Sequence, residues 1–205
     1  MKRKANVFTR GLYALTPTNR CGSALIDAAS AALAGGTVWL QYRAKPEADR
    51  TTALALQQCC QATGALFIVN DDVELAVEIR ADGVHLGRDD MSLIEARSML
   101  HPDQLIGVSC YNDLARAAKL VEQGADYLAF GSLYPSPTKP DAVHCPLKTL
   151  TEARQFGKPV VAIGGITLER APEVAEAGAD LIAVISDLFD ADDIEARARQ
   201  WSSCF

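Results

Sequence analysis

Short apolar runs typical of buried strands alternate with amphipathic helical patterns along the whole chain. This alternation is the pattern of βαβ units, which assemble into a parallel sheet. The predicted strands are residues 11–15, 37–42, 66–69, 82–86, 104–108, 126–130, 159–163 and 180–185. The predicted helices are residues 23–34, 47–63, 72–79, 92–100, 112–122, 146–156, 168–177 and 191–201. Eight of each favour an α/β fold that is a closed (β/α)8 TIM barrel, with an open doubly wound sheet as the alternative.

A weak internal repeat supports this series of similar units. EQGADYLAFGS at 122–132 and EAGADLIAVIS at 176–186 share a helix end, a Gly-Ala-Asp turn and a buried strand. ADGVHLG at 81–87 and AGGTVWLQY at 34–42 are looser versions. Glycine at a helix end supplies the left-handed residue that turns the chain into the next strand. The length of 205 residues suits a single barrel domain over residues 1–205, with short loops.

The composition excludes several classes of function. With a net charge of −6, the chain lacks the positive excess expected of a protein that binds duplex nucleic acid. No apolar stretch approaches the roughly 18 residues of a membrane span. The apolar segment 12–15, which follows a basic start, is too short for a signal peptide. We therefore expect a cytoplasmic protein with no nucleic acid or membrane partner.

The cysteines are interpreted as reduced thiols with structural or incidental roles. No two have the C-x-x-C spacing of a zinc or redox site, and reduced thiols are the rule in the cytoplasm. The six are Cys21, Cys59, Cys60, Cys110, Cys145 and Cys204.

Candidate functional residues follow the predicted strands, because the chemistry of such barrels sits at the carboxyl ends of their strands. Arg43 and Lys45 come after the second strand. Arginine offers a planar fork for phosphate oxygens, and lysine offers a point charge. Taken alone, the pair is also typical of a solvated loop, so its functional interpretation depends on the neighbouring strand ends.

Two acidic pairs follow neighbouring strands, Asp71 with Asp72 and Asp89 with Asp90. Mg²⁺ typically takes one or two carboxylates and completes its octahedron with water and substrate phosphates. An aspartate at a strand–helix junction is also a common helix cap. Each pair has one acid for each use, and the spacing alone does not say which is which.

Glycines and hydroxyls follow the last strands. Gly164 and Gly165, together with Ile185 and Ser186, match the usual phosphate site of such barrels, where backbone N–H groups hold the anion. The alternative is a plain tight turn. The loop 134–140 carries hydroxyls, three prolines and a lysine, a composition suited to closing over an anionic ligand.

A catalytic nucleophile is absent from the recognisable motifs. His85 alternates with apolar neighbours, so we expect a hydrogen-bonded core histidine rather than a catalytic base. No G-x-S-x-G, Cys–His pair or H-E-x-x-H motif is present. Two anion sites, one metal site and no obvious nucleophile suit chemistry at a diphosphate leaving group.

Seven motifs resemble the thiamine-phosphate synthase (thiamine-phosphate pyrophosphorylase) family over nearly the whole chain. They occur in order and with matching spacing, which makes the resemblance specific. They are QYRAK (41–45), VNDD (69–72), DGVHLGRDD (82–90), GVSCYN (107–112), FGSLYPSPTK (130–139), VAIGGI (161–166) and AVISDLF (183–189).

The resemblance implies a transferase on a (β/α)8 barrel that joins the two halves of thiamin. The thiazole ring nitrogen displaces diphosphate from 4-amino-5-hydroxymethyl-2-methylpyrimidine diphosphate, with Mg²⁺ as cofactor and bond breaking ahead of attack. The products are thiamine phosphate and diphosphate, and a carboxylated thiazole also loses CO₂. A thiazole tautomerase on the same barrel and a non-catalytic sensor of phosphate ligands are the alternatives, and neither needs the diphosphate and metal residues.

The resemblance also assigns roles to individual positions. The implied metal ligands are Asp71 and Asp90, and the implied catalytic residues are Lys139, Arg43 and Ser109. The implied pyrimidine diphosphate site is Gln41, Tyr42, Arg43, Ala44, Lys45, Asn70, Ser109 and Lys139. The implied thiazole phosphate site is Ser136, Pro137, Thr138, Gly165, Ile185 and Ser186.

Two positions depart from the family pattern. Ser136 stands where the family commonly has threonine, which keeps the hydroxyl. Arg88 stands where it commonly has glutamine, which adds a cation near the predicted metal site.

Overall fold

Eight parallel strands close a barrel in sequence order within residues 9–44, 48–135 and 143–205, which the computed structural model describes. The strands are β1 (Gly11–Leu15), β2 (Trp39–Tyr42), β3 (Leu66–Asn70), β4 (Gly83–Leu86), β5 (Leu105–Tyr111), β6 (Tyr127–Phe130), β7 (Val160–Ile163) and β8 (Leu181–Val184). The last strand pairs with the first, Leu181 lying opposite Gly11. The predicted TIM barrel is therefore confirmed, and the open sheet is excluded.

Helices connect the strands around the outside of the barrel. They are α1 (Gly22–Ala34), α2 (Arg50–Thr63), α3 (Val73–Glu78), α4 (Leu93–Met99), α5 (Leu114–Glu122), α6 (Lys148–Ala153), α7 (Ala171–Glu176), α8 (Ser186–Phe189) and α9 (Ile194–Ser202). Short 3₁₀ turns at Arg154–Phe156 and Leu168–Arg170 adjoin α6 and α7. The sequence did not predict α8, because one helical turn is too short to show a period of 3.6 residues.

Helix starts are set by capping side chains. The sequence predicts a helix from residue 47, which lies outside the described residues, but α2 begins at Arg50. The carboxylate of Asp49 accepts hydrogen bonds from the backbone N–H groups of Thr51 (3.1 Å) and Thr52 (3.0 Å). Because these donors have no partner within the helix, the cap fixes where α2 starts.

Two apolar layers follow from the alternation of side chains along each strand. One set of alternating positions fills the inside of the barrel, and the other packs against the helices in a larger core. The inner cluster consists of Tyr13, Leu15, Trp39, Leu66, Ile68, Tyr127, Ala129, Val161, Leu181 and Ala183. The barrel interior is thus a packed core. We call the end of the barrel at the carboxyl ends of the strands its mouth, and the edge of that end its rim.

The ring of Tyr127 crosses the barrel interior through space that a glycine provides. A Cβ atom on Gly107, the residue opposite on β5, would lie 1.8 Å from Cζ of Tyr127. Tyr127 meets Trp39 and Tyr13 edge to face, with ring centroids 5.0 Å and 6.3 Å apart. Any side chain at Gly107 would displace this ring.

The aspartates of the internal repeat join neighbouring strands. Each precedes an even-numbered strand and accepts a hydrogen bond from a backbone N–H of the strand before it. The bonds join Asp82 to Phe67 (3.0 Å), Asp126 to Ile106 (2.8 Å) and Asp180 to Val160 (2.9 Å). The glycines before two of them, Gly124 and Gly178, have φ of +101° and +113°, as the turn in the repeat predicts. In each of these three repeats, the aspartate therefore links its own strand to the strand before it.

All six cysteines have free thiols. Burial raises the pKa of Cys110 to about 12, which keeps this neighbour of Ser109 in its thiol form.

In the described part of the chain, no helix combines the length and the apolar character needed to span a membrane.

Replacement of Asp180 by alanine is expected to destabilise the barrel. The N–H of Val160, a fully buried residue, would lose its acceptor, at a cost of about 1–3 kcal/mol in the free energy of unfolding. Urea unfolding of Asp180→Ala measures this loss, and Asp192→Ala, which removes an exposed aspartate, is the matched control. Equal stability of the two variants would contradict the proposed role of Asp180 in linking β7 and β8.

Candidate active site

The predicted site residues that the structure describes lie at or just beyond the carboxyl ends of the strands. Neighbouring strands therefore bring them to one end of the barrel. The described residues are Gln41, Tyr42, Arg43, Ala44, Asn70, Asp71, Asp90, Ser109, Gly165, Ile185 and Ser186. Five further predictions, Lys45, Ser136, Pro137, Thr138 and Lys139, lie outside the described residues.

The end of β2 points its side chains to opposite sides. Gln41 faces the barrel interior, whereas Tyr42 packs outward with its ring 6.5 Å from that of Phe67. The hydroxyl of Tyr42 accepts a hydrogen bond from the N–H of Asp49 at 3.1 Å. Any contribution of Tyr42 to the predicted diphosphate site is therefore left to its main chain.

Arg43 is a half-buried cation at the mouth of the barrel. Its N–H donates to Oγ1 of Thr16 at 2.7 Å, and the N–H of Thr16 donates to the carbonyl of Gln41 at 2.9 Å. Burial lowers the pKa of Arg43, and the charge of Asp71 opposes this shift. Arg43 and Asp71 are thus close enough to interact electrostatically, and the guanidinium stays charged at neutral pH.

The first acidic pair divides between two roles. Asp72 caps α3, because its Oδ1 accepts a hydrogen bond from the N–H of Leu75 at 2.8 Å. Asp71 adopts a left-handed conformation with φ of +64°, and its carboxylate accepts a hydrogen bond from the side-chain amide of Asn70. Asp72 is committed to the helix, which supports Asp71 as the predicted metal ligand.

The second acidic pair leaves helix capping to another residue. Ser92 caps α4, and its hydroxyl and backbone N–H form a capping box with Glu95. The capping role that the spacing allowed for Asp89 is therefore absent, and Asp89 is exposed. Asp90 turns back toward β4, where its Oδ2 accepts a hydrogen bond from the N–H of Gly87 at 2.6 Å.

The donor chemistry at this edge suits Mg²⁺. Asp71 and Asp90 follow adjacent strands and supply hard carboxylate oxygens. Among the described residues, no group of three or more His, Cys, Asp or Glu side chains could hold a metal. Mg²⁺ is commonly held by one or two carboxylates with water and substrate phosphates, and this edge offers two carboxylates.

Arg88 is neighboured by an aromatic ring. Its guanidinium lies 4.5 Å from the ring centroid of Tyr111, and Arg116 lies 5.9 Å from the same ring. Nε of Arg116 donates to the carbonyl of Ser109 at 2.9 Å. The cation that departs from the family pattern is therefore held over the face of Tyr111.

The glycine turn after β7 is pressed against the loop after β6. Gly164 and Gly165 have φ of +105° and +60°. A Cβ on Gly165 would lie 2.4 Å from the carbonyl oxygen of Pro135, and one on Gly164 would lie 2.2 Å from Oγ of Ser132. A side chain at either position would collide with this loop, so the packing of the turn itself requires both glycines.

Arg170 holds this turn in place, and the sequence did not identify it. It donates to the carbonyl of Gly165 at 2.7 Å, and its guanidinium lies 4.3 Å from the ring centroid of Tyr134. The N–H of Tyr134 donates to the carbonyl of Gly164 at 2.9 Å. The short helix α8 begins at Ser186, directly beyond β8, so Ser186 lies at the neighbouring strand end.

A chain of hydrogen bonds crosses the barrel interior from Gln41 to Ser109. Nε2 of Gln41 lies 2.8 Å from the hydroxyl of Tyr13, which lies 3.0 Å from the hydroxyl of Tyr127. The Tyr127 hydroxyl lies 3.1 Å from Nδ1 of His85, whose Nε2 lies 2.9 Å from Oγ of Ser109. The sequence did not identify Tyr13 or Tyr127, although their inward positions on β1 and β6 follow from strand alternation.

Burial keeps the inner chain uncharged. It raises the pKa of Tyr13 and of Tyr127, so both phenols stay protonated. It lowers the pKa of His85 to about 4, against the opposing effect of Asp90. His85 is therefore a neutral, doubly hydrogen-bonded core histidine at physiological pH, as its apolar sequence neighbours led us to expect.

Acid is expected to destabilise the protein through His85. The unfolded chain binds a proton at its usual pKa near 6.5, whereas the folded chain does so only at about 4, so stability falls as pH drops through this window. The loss attributable to His85 between pH 7 and pH 5 is about 2 kcal/mol. Urea unfolding at both pH values measures it, with His85→Gln as the variant that lacks this proton. An identical pH dependence in the two proteins would refute the buried neutral state.

Comparison with known proteins shows similarity over nearly the whole chain. A sequence profile of the family described as thiamine monophosphate synthase matches residues 12–188. The thiamine-phosphate synthase of Methylobacillus flagellatus is 49% identical over 199 residues, which cover 96% of this chain and 95% of that protein. That of Chromobacterium violaceum is 52% identical over 198 residues, covering 95% and 96% respectively. The solved structure of thiamine phosphate pyrophosphorylase from Pyrococcus furiosus is 33% identical with a TM-score of 0.87, covering 97% of this chain and 96% of its own.

Proposed function

This chain belongs to the thiamine monophosphate synthase family, as its motifs predict, and we propose that it is a transferase that makes thiamine phosphate. Its proposed substrates are 4-amino-5-hydroxymethyl-2-methylpyrimidine diphosphate and a thiazole phosphate. The bond between the pyrimidine methylene carbon and the diphosphate oxygen breaks, and the thiazole ring nitrogen forms the new bond to that carbon. Diphosphate leaves with the electron pair of the broken bond.

The observation that carries this proposal is the pairing of charges at the ends of β2 and β3. Arg43 is a half-buried arginine that interacts electrostatically with Asp71. Asp90 follows β4, the strand next to β3. A diphosphate needs positive charge from the protein and a metal held on carboxylates, and this edge supplies both kinds of group. A tautomerase acting on a thiazole monophosphate has no need of that combination.

We assign the pyrimidine diphosphate to Gln41, Arg43, Lys45, Asn70, Ser109 and Lys139, with the backbone at Tyr42 and Ala44. Arg43, Lys45 and Lys139 supply fixed positive charge where negative charge grows on the leaving diphosphate. Mg²⁺ bound at Asp71 and Asp90 would supply Lewis-acid stabilisation to the same oxygens. Because the leaving group departs ahead of attack, the reaction requires no protein nucleophile or strong base. The neutral, fully hydrogen-bonded His85 is compatible with that requirement.

We assign the thiazole phosphate to the glycine turn and the strand end beside it. The absence of a side chain on Gly165 lets this turn pack against the loop after β6, and Arg170 holds the turn in place. The backbone N–H groups of the turn are the proposed phosphate donors. Ser186 and Ile185 lie at the neighbouring strand end, and Ser136, Pro137 and Thr138 are assigned to the other side of the ligand. Holding both substrates in reacting geometry supplies much of the rate enhancement.

The deciding experiment measures diphosphate release by the purified protein with Mg²⁺ and the pyrimidine diphosphate, with and without the thiazole phosphate. The proposal expects release only with both substrates and the metal, and thiamine phosphate formation in step with it. No release, together with tight binding of the thiazole phosphate alone, would refute the synthase and favour a tautomerase or a sensor.

Lys139→Ala is expected to lower the rate of bond formation by roughly 10²- to 10⁴-fold, because it removes a positive side chain that would stabilise the leaving diphosphate. Single-turnover kinetics measure this step directly. Lys148→Ala, at the exposed start of α6, removes the same charge elsewhere and should leave the rate unchanged. A normal single-turnover rate in Lys139→Ala would remove Lys139 from the mechanism.

Asp90→Asn is expected to raise the Mg²⁺ concentration needed for half-maximal activity by about tenfold or more, because an amide binds the cation less well than a carboxylate. Asp89→Asn is the matched control, since Asp89 is exposed and follows the same strand. Mg²⁺ titrations of both variants compare the two acids. An effect confined to Asp89→Asn would assign the metal to Asp89 instead.

A further inference from the structure

The hydrogen-bonded chain inside the barrel has a direction that starts at Gln41. The amide nitrogen of Gln41 can only donate, so the hydroxyl oxygen of Tyr13 accepts from it across 2.8 Å. Tyr13 has one hydroxyl hydrogen, and the hydroxyl of Tyr127 at 3.0 Å is the partner for it. Tyr127 in turn has one hydrogen, and Nδ1 of His85 at 3.1 Å accepts it.

This direction selects one tautomer of the buried histidine. A neutral imidazole carries its hydrogen on one ring nitrogen and accepts on the other. Because Nδ1 of His85 accepts from Tyr127, the hydrogen lies on Nε2, which donates to Oγ of Ser109 across 2.9 Å. The hydroxyl hydrogen of Ser109 is then free to point away from the barrel core.

Ser109 stands where that hydrogen can reach a ligand. It lies on β5 near the strand's carboxyl end and is partly exposed, while the residues behind it in the chain are buried. Arg116 fixes its main chain through the carbonyl oxygen at 2.9 Å. Gly107, two residues earlier, leaves the space that admits the ring of Tyr127. The strand thus presents a hydroxyl of fixed position and fixed polarity.

We propose that Tyr13, Tyr127 and His85 are positioning residues that hold the Ser109 hydroxyl as a hydrogen-bond donor to an acceptor atom of the substrate. With the pyrimidine diphosphate in the proposed site, the acceptor is a ring nitrogen of the pyrimidine rather than its amino group. This part of the inference rests on the proposed function. The tautomer of His85 does not, because hydrogen bonds within the protein determine it.

The first test records the imidazole ¹⁵N signals of the full-length protein at pH 7 without ligand. The chain has three histidines, and His101→Gln and His144→Gln variants assign the signals of His85. The proposal expects a protonated Nε2 and an unprotonated Nδ1. A protonated Nδ1 would overturn it, whether or not the protein proves to be a synthase.

Tyr127→Phe keeps the ring and removes only the hydroxyl that donates to Nδ1. The Nδ1 signal of His85 is expected to shift, because that nitrogen loses its donor. Tyr134→Phe is the matched control, since its hydroxyl bonds to Glu173 outside the barrel interior, and it should leave the His85 signals unchanged. An unchanged Nδ1 signal in Tyr127→Phe would overturn the proposed chain.

A double-mutant cycle separates positioning from a merely structural role. Affinity for the pyrimidine diphosphate alone, measured by calorimetry, is expected to fall about tenfold in Tyr127→Phe, the loss of roughly one well-made hydrogen bond. In a Ser109→Ala background, the same substitution should change affinity little, because Tyr127 acts through Ser109. Additive losses would overturn the positioning role. Absence of any binding to the wild-type protein would refute the proposed function instead, and the ¹⁵N signals would still decide the tautomer.

Discussion

The alternation of side chains along the eight parallel strands is the constraint on which the rest of this structure depends. Because successive residues face opposite sides, each strand gives one set to the helix-covered core and the other to the barrel interior. The same alternation places Gln41, His85 and Ser109 on the inner face of the barrel near its mouth. A packed interior and a polar mouth thus follow from one geometric rule.

Polar groups inside such a core must find hydrogen-bond partners, because a buried group left unpaired costs about 1–3 kcal/mol. Here the partners come from five different strands, and the ring of Tyr127 reaches them only because Gly107 has no side chain. The absence of a side chain on one strand therefore controls a contact made by another. Packing and polarity at the mouth of this barrel are one problem rather than two.

Sequence alone predicts the barrel well, because strand and helix periods are local properties of the chain. It does not identify Tyr13 or Tyr127, since their partners are 28 to 114 residues away in the chain. Similarly, the spacing of Asp71 and Asp72 does not distinguish them, whereas the cap on α3 does. Arg170 is missed for a related reason, because its partners are a main-chain carbonyl and a ring from another loop.

The absence of a charged base from the inner chain is consistent with the chemistry assigned to the mouth. Burial keeps His85, Tyr13 and Tyr127 uncharged at neutral pH, so formal charge lies at the rim of the barrel, where Arg43, Asp71 and Asp90 stand. At a half-buried rim, each charge would interact more strongly with the proposed diphosphate than it would in bulk water. A neutral interior beneath them adds no opposing field. The interior thus contributes neutral hydrogen bonds of fixed direction, and the rim contributes charge. This division suits a reaction in which charge develops on the leaving group and the pyrimidine ring needs only to be oriented.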